Sequence, residues 1–176
     1  CEEFNFDGGD CSEESGPLQS MIDATECGGE LIIPEGDYDE SIRIKKCITL
    51  KAPLCTEGDC GNSRAAGYRR VKVKGGTGID FNERDHCDCN YVNLEGIEFS
   101  GSTGSGVISI DGNGSNGSGE NYDVDLVNIT NSIIDGAIDS TDSYNRGLYI
   151  ASGTEIANYK IHESSFYNIN NSYIKI

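Results

Sequence analysis

The chain has 176 residues, of which 36% are hydrophobic, with 23 glycines, one methionine and no tryptophan. A chain of this length forms about one domain with its own core, and this small, turn-rich composition favours an all-β fold over a helical bundle. The formal net charge of −17 repels phosphate backbones and anionic lipids, so we expect no nucleic-acid binding. No apolar run approaches the roughly 18 residues of a membrane span, so membrane insertion is not expected.

Eight cysteines indicate an oxidising compartment. An even number of cysteines is typical of a disulfide-bonded extracellular protein, so we predict secretion. Zinc binding is disfavoured because Cys87-Asp-Cys89 has no second ligand pair at a suitable spacing. Cys55 and Cys60 are placed to close a local loop, and the remaining pairing stays open. The eight predicted disulfide cysteines are Cys1, Cys11, Cys27, Cys47, Cys55, Cys60, Cys87 and Cys89.

The first fifteen residues form a Cys- and Asp-rich segment. Its Phe6-Asp-Gly-Gly-Asp-Cys11 run resembles the end of a Lin-12/Notch repeat, a small disulfide module that holds calcium. On this resemblance, Asp7 and Asp10 would be carboxylate ligands of a calcium ion, and no other cofactor is implied. The module's earlier cysteines are absent, and Phe4 stands where its penultimate cysteine would be. An acidic, glycine-rich turn tethered by two cysteines is the alternative.

A short amphipathic helix is predicted next, because Leu18, Met21 and Ile22 recur at helical spacing and Pro17 suits a first helical turn. The order of this helix, "GGELIIPEGDY", "IRI" and "CITLKAP" resembles the capping helix and first coils of the pectin-lyase-like β-helix proteins. The resemblance implies an all-β, right-handed parallel β-helix with a short N-terminal capping helix, but it implies no activity. The expected boundaries are 1–15 for the first segment, 16–176 for the β-helix domain, 16–27 for the capping helix and 30–176 for the coils.

One strand–turn–strand unit is repeated three times. Residues 92–99, 127–134 and 159–166 superpose with apolar residues in matching places, and Leu94, Ile129 and Ile161 should point inward. A further strand follows each unit, at 106–110, 147–150 and 172–176. The period of about 32–35 residues is typical of a solenoid. A β-sandwich, the alternative, offers no reason for such a repeat.

Four Asn-x-Ser/Thr sequons predict N-glycosylation in a secreted protein. Two of them lie in the glycine- and serine-rich run 112–119, which should protrude as a loop. A third should point outward because its asparagine alternates with the inward Val127 and Ile129. The four acceptor residues are Asn113, Asn116, Asn128 and Asn170.

Candidate catalytic residues are few. Asp135, Asp139 and Asp142 lead into Arg146, a grouping of acids with a base that a lyase would use, but a solvated acidic loop is the favoured interpretation. The tripeptide Arg43-Ile-Lys45 mimics one found in polygalacturonases, but its partner motifs are missing. We therefore do not expect an enzyme.

The sequence ends within what should be a strand of the third unit, with no cap after it. Either these residues are an excerpt from a longer chain, or another subunit satisfies the open edge. We expect a non-enzymatic structural glycoprotein of an extracellular fibre or surface layer, with head-to-tail self-association through this end. The alternatives are a polysaccharide-active enzyme or carbohydrate-binding module, disfavoured by the negative charge unless calcium bridges a polyuronate, and an adhesin-like domain.

Overall fold

The computed structural model describes residues 16–55, 60–80, 91–101, 105–111, 126–136, 146–151, 158–169 and 172–175. This part of the chain holds one helix and fifteen short strands. In chain order they are α1 (Pro17–Ala24), β1 (Glu30–Ile32), β2 (Gly36–Tyr38), β3 (Ile42–Ile44), β4 (Ile48–Lys51), β5 (Val71–Val73), β6 (Thr77–Asp80), β7 (Tyr91–Glu95), β8 (Glu98–Ser100), β9 (Ile108–Asp111), β10 (Leu126–Thr130), β11 (Ile133–Asp135), β12 (Arg146–Ile150), β13 (Tyr159–His162), β14 (Ser165–Tyr167) and β15 (Ser172–Lys175).

The strands form three parallel sheets of five strands each. Sheet A has the order β1-β4-β7-β10-β13, sheet B contains β2-β5-β8-β11-β14, and sheet C contains β3-β6-β9-β12-β15. Each strand therefore pairs with the strand three places later in the chain, so the chain passes through all three sheets once per coil. We number the coils 1 to 5, from β1–β3 to β13–β15. The predicted parallel β-helix with one short helix before it is confirmed.

Alternation along the strands builds the core. In β7 and β10 the residues at even spacing are buried and those between them are half-buried, as expected when successive side chains point to opposite faces. Leu94, Ile129 and Ile161 are in register, as predicted. Leu50 of coil 2 and Leu31 of coil 1 continue the same stack. The hydrophobic core is thus a set of aliphatic stacks running along the solenoid.

The coils differ greatly in length although their strands do not. Paired residues of sheet A are 19 positions apart between coils 1 and 2 (Glu30 and Thr49), and 44 apart between coils 2 and 3 (Ile48 and Val92). They are 35 apart next (Tyr91 and Leu126) and 32 apart last (Val127 and Tyr159). The predicted period of about 32–35 therefore holds only for coils 3 to 5. Sequence analysis did not identify β2, β5 or β6 as strands. All three are short, and a long insertion separates β5 and β6 from β4.

The helix is shorter than the predicted 16–27. It ends at Ala24 because Thr25 has extended backbone angles, φ −73° and ψ 136°. The amide of Thr25 still donates to the carbonyls of Met21 and Ile22, and its hydroxyl donates to the Met21 carbonyl at 2.8 Å. These bonds satisfy carbonyls at the end of the helix, so the helix stops at Ala24.

Candidate association surface

The corner between sheets A and B has the same backbone shape in coils 3, 4 and 5. Gly96, Asn131 and Glu163 occupy equivalent places, with φ values of 72°, 49° and 50°. This left-handed conformation suits glycine and asparagine but is unusual for glutamate. Superposing the repeated units 92–99, 127–134 and 159–166 aligns these three residues in one tight turn, and the structure places all three at this corner.

Hydrogen bonds at this corner run from each coil to the next. The Gly96 amide donates to the Thr130 carbonyl at 3.0 Å, and the Asn131 amide donates to the His162 carbonyl at 3.1 Å. The following amide repeats the pattern with side chains, since the Ser132 amide donates to the Ser164 hydroxyl at 3.1 Å. Each coil therefore supplies the acceptors for the corner amides of the coil before it.

Coil 5 has no coil after it in the described part of the chain. By the same register, the amides of Glu163 and Ser164 point away from coil 4, and no acceptor for either lies among the described residues. Sequence reasoning missed this pair of donors. The signal was present, because Ser132 and Ser164 occupy the same place in two of the repeated units.

Apolar side chains of coil 5 are exposed where their partners in coil 4 are buried. Tyr159 is 43% exposed and its partner Val127 is 1% exposed. Ile174 is 37% exposed and its partner Leu148 is fully buried. Phe166 is only partly buried against the core. We call the face formed by coil 5, with these side chains and the two free corner amides, the coil 5 face.

The opposite end of the described solenoid is covered by α1. Leu18 and Ile22 are buried on the core beside coil 1. The side-chain amide nitrogen of Gln19 donates to the Arg43 carbonyl at 3.0 Å, and the side-chain oxygen of Gln19 accepts from the Arg43 backbone amide at 2.6 Å. One side-chain amide thus takes the place of a neighbouring strand at the edge of β3.

Two charged side chains hold the ends of α1. The Glu40 carboxylate accepts from the Leu18 amide at 2.9 Å and from the next amide at 3.1 Å, at the positive end of the helix dipole. The Lys46 ammonium donates to the carbonyls of Asp23 and Thr25 at 2.7 and 2.8 Å, at the negative end. The helix is therefore fixed to coil 1 by its core face and at both ends.

A long insertion between β4 and β5 crosses three coils. We call residues 52–70 the strap, of which 56–59 lie outside the described residues. The Cys55–Cys60 disulfide closes one loop in it, as predicted. The Arg64 amide donates to Glu98 of coil 3 at 2.7 Å, and its guanidinium pairs with Asp135 of coil 4 at 2.8 Å. The same guanidinium lies 4.5 Å from the ring centre of Tyr167 in coil 5.

The strap also covers the corner with a tyrosine. Tyr68 packs its ring against Gly96 so closely that a side chain there would overlap it. Its hydroxyl donates to Glu95, whose carboxylate also pairs with Lys51 at 3.3 Å, and it accepts from Asn131 at 3.5 Å. Burial, and then the hydrogen bond to Glu95, raise the pKa of Tyr68 to about 12. The hydroxyl is therefore fixed as a donor.

The structure places Asp135 in a satisfied polar network. Its carboxylate accepts from Arg64 and, through the other oxygen, from the Asn168 side chain at 2.8 Å. Burial alone would raise the pKa of Asp135, but these two hydrogen bonds outweigh burial and hold it below the ordinary 3.8. Arg146 begins β12, where its guanidinium lies 5.2 Å from the Tyr149 ring centre and contacts the Ser105 carbonyl at 3.5 Å. Asp139 and Asp142 lie outside the described residues.

Of the predicted acceptor asparagines, Asn128 alone falls on described residues. It is half-buried on the outer side of sheet A, in register with Asn93 and Lys160, and the residues on either side of it are buried, as predicted. Cys27 and Cys47 are disulfide-bonded. Arg43 is on the exposed side of β3 and pairs with Asp80 at 3.4 Å. The predicted residues outside the described part are Asn113, Asn116, Asn170, Asp7, Asp10, Cys1, Cys11, Cys87 and Cys89.

Among the residues that the structure describes, no three His, Cys, Asp or Glu side chains are grouped so as to hold a metal ion. In the same residues no helix has the length and apolar character to cross a membrane. No protein-family model, curated protein or solved structure matches the chain.

Proposed function

We propose that this protein is a secreted, non-enzymatic structural glycoprotein of an extracellular fibre or surface layer that self-associates through the coil 5 face. The observation that carries the proposal is the exposure of Tyr159 and Ile174, whose counterparts one coil earlier are buried. Burying an apolar side chain contributes about 1.5–3 kcal/mol when burial is complete, so a face with several half-exposed apolar residues favours association.

Several features support the rest of the proposal. Disulfide bonds at Cys55–Cys60 and at Cys27 and Cys47 suit an oxidising compartment. Asn128 lies on an outer sheet face, where an N-glycan has room. The three parallel sheets preceded by one helix are compatible with a pectin-lyase-like β-helix, and membership of that group is part of this proposal.

The enzymatic alternative has less support. Its first candidate carboxylate, Asp135, is engaged through both oxygens by Arg64 and Asn168. A lowered pKa also keeps this carboxylate ionised at neutral pH, so it is unsuited to donate a proton.

The test uses the 176-residue chain secreted from a eukaryotic culture. Light scattering after size exclusion, over a hundredfold range of concentration, should show a molar mass that rises with concentration. Ile174→Lys should abolish the rise, because a buried ammonium in the contact is costly. Leu54→Lys is the matched control, since Leu54 is 64% exposed on the strap, and it should associate like the wild type. A wild-type chain that stays monomeric throughout would overturn the proposal.

The glycan part of the proposal has its own measurement. Intact mass should fall after enzymatic removal of N-glycans, and Asn128→Gln should lack one glycan that the wild type carries. An unmodified peptide at Asn128 in the secreted protein would remove this site from the proposal.

A further inference from the structure

We infer that Asn128 receives its N-glycan only before β10 is enclosed between β7 and β13, so that the wound solenoid no longer accepts it. This inference rests on the proposed glycosylation and adds to it the order of modification and folding. An acceptor sequon usually lies in a surface loop. Asn128 instead lies in β10, an inner strand of sheet A with a hydrogen-bonded strand on each side.

The first step is the backbone of the sequon. Residues 126–130 pair with β7 on one edge, and residues 127–130 pair with β13 on the other. The Thr130 carbonyl accepts from the Gly96 amide at 3.0 Å and from the Ser132 hydroxyl at 2.8 Å. Neighbouring strands of a sheet are only about 4.8 Å apart, so an enzyme cleft cannot close around this segment while both neighbours are in place.

The second step is the side chains of the same strand. Asn128 is half-buried on the outer face, in register with Asn93 and Lys160. Val127 and Ile129, on either side of it in the chain, are each 1% exposed. Lifting the sequon out of the sheet would bring these two residues out of the core as well. Inner strands open only at a free energy close to that of global unfolding, so the wound chain is a poor acceptor at Asn128.

The third step is the chemistry of the transfer. A bond forms between the Asn128 Nδ2 and the anomeric carbon of a sugar, and that carbon's bond to the pyrophosphate of a lipid-linked donor breaks. The lipid pyrophosphate leaves with the electron pair, and Nδ2 loses one proton. Nδ2 is a weak nucleophile because its lone pair is conjugated with the side-chain carbonyl, so the enzyme must position the amide closely. That positioning requires a segment free to enter the cleft, which β10 is only before the coils wind.

The order of synthesis leaves time for this reaction. Lys160, the partner of Asn128 in β13, follows it by 32 positions. Synthesis adds about 5–20 residues per second, so this part of β13 is made about 2–6 s after Asn128. Pairing of parallel strands that are far apart in the chain is also slow. Asn128 is therefore open to transfer while the chain is made and closed once coil 5 has paired.

The experiment offers the unglycosylated 176-residue chain to an oligosaccharyltransferase with a lipid-linked oligosaccharide. The chain is supplied in two states, folded with its disulfides, or unfolded by reduction and alkylation of its cysteines. Peptide mass mapping measures the glycan at residue 128. The folded chain should carry roughly tenfold less glycan there than the unfolded chain, or lower still, because opening of an inner strand is rare.

Gly61→Asn is the matched control, because it creates an Asn-Asn-Ser sequon at positions 61–63, on an exposed turn of the strap. Gly61 has a φ of 58°, a left-handed conformation that asparagine also adopts. A Cβ there would lie 3.4 Å from a carboxylate oxygen of Glu35, at the flexible end of that side chain. This variant should gain a glycan at position 61 in the folded state as well as in the unfolded state.

Three results would overturn the inference. Equal transfer to Asn128 in the folded and unfolded chains would do so and leave the proposed glycoprotein standing. Loss of transfer at position 61 in the folded control would show that folding blocks every sequon, so the enclosure of β10 would not be the cause. Absence of transfer to Asn128 in both states, with transfer at position 61 of the control, would overturn the inference and also remove Asn128 from the proposed function.

Discussion

Replacing Arg64 by alanine should loosen coil 5 more than the rest of the molecule. Arg64 lies in the strap, and its guanidinium contacts Asp135 of coil 4 and the Tyr167 ring of coil 5. In a solenoid each coil is stabilised chiefly by its neighbours. Coil 5 has one neighbouring coil in the described chain, so losing a contact from the strap should affect it more than the inner coils.

The expected loss follows from the exposure of the pair. Removing one partner of a fully buried ion pair costs about 3–5 kcal/mol, and an exposed pair contributes about 0–1 kcal/mol. The side chain of Asp135 is 10% exposed and that of Arg64 is 40% exposed, which places the ion pair between these limits. Adding about 0.5–1 kcal/mol for the cation–π contact, we expect the free energy of unfolding to fall by about 2–3 kcal/mol.

Urea unfolding followed by tyrosine fluorescence measures this loss, since the chain has nine tyrosines and no tryptophan. Arg43→Ala is the matched control, because the Arg43 side chain is 59% exposed and its ion pair to Asp80 is longer, at 3.4 Å. The control should lose less than about 1 kcal/mol. Hydrogen exchange should become faster in residues 159–167 of the Arg64→Ala protein and stay unchanged in residues 42–51.

The reasoning would be refuted by equal losses in the two arginine variants, or by faster exchange spread evenly over all coils. A double-mutant cycle with Asp135→Ala adds an independent check. Coupling of about 1 kcal/mol or more between the two side chains is expected, and coupling near zero would mean that the strap is not held through this pair.

Three further predictions concern the corner, the acid response and the cap. Asn131→Gly should lower the free energy of unfolding by less than about 1 kcal/mol, because glycine and asparagine both adopt the left-handed conformation. Gly96→Asn should lower it by about 1–3 kcal/mol, because the new side chain would overlap the Tyr68 ring. Equal losses for the two variants on thermal unfolding would contradict this. Asp135 has a native pKa below 3.8, so its contribution to the free energy of unfolding is present above about pH 5 and is lost as pH falls through the native pKa. The urea midpoint of the wild type should therefore fall more steeply in acid than that of Asp135→Asn. Parallel curves for the two proteins would count against this role of Asp135. Lys46→Met removes two charge-assisted hydrogen bonds to the end of α1 and should lower the free energy of unfolding by about 1.5–3 kcal/mol. Hydrogen exchange should become faster in residues 17–24. Unchanged exchange there would show that Lys46 does not hold the helix.

Much of the fold was predictable from local patterns. The period-two alternation in 92–99 and 127–134 predicted both strands and their inward residues, and alignment of the repeated units placed Gly96, Asn131 and Glu163 at one corner. The second and third strands of coil 2, β5 and β6, were not predicted. Val71–Val73 and Thr77–Asp80 are short, and the strap separates them from β4, so no repeat in the sequence marks them.

The candidate surface was predictable only in part. The sequence predicted a capping helix before the first coil, but it did not show how this helix is held. Its attachment depends on Gln19, Glu40 and Lys46, whose roles require residues 21 to 24 positions apart to meet. The Arg64–Asp135 pair spans 71 positions, and neither residue lies in a motif.

By itself, the sequence determined the class of fold, the helix before the coils, the inward stacks and the shared corner, because alternation and repetition are local properties of a chain. The tertiary structure alone decided how long each coil is, where the strap crosses the coils, and that Asp135 is bound to Arg64. It also decided how the helix before the coils is held, because Gln19, Glu40 and Lys46 meet partners 21 to 24 positions away only when the helix packs on coil 1.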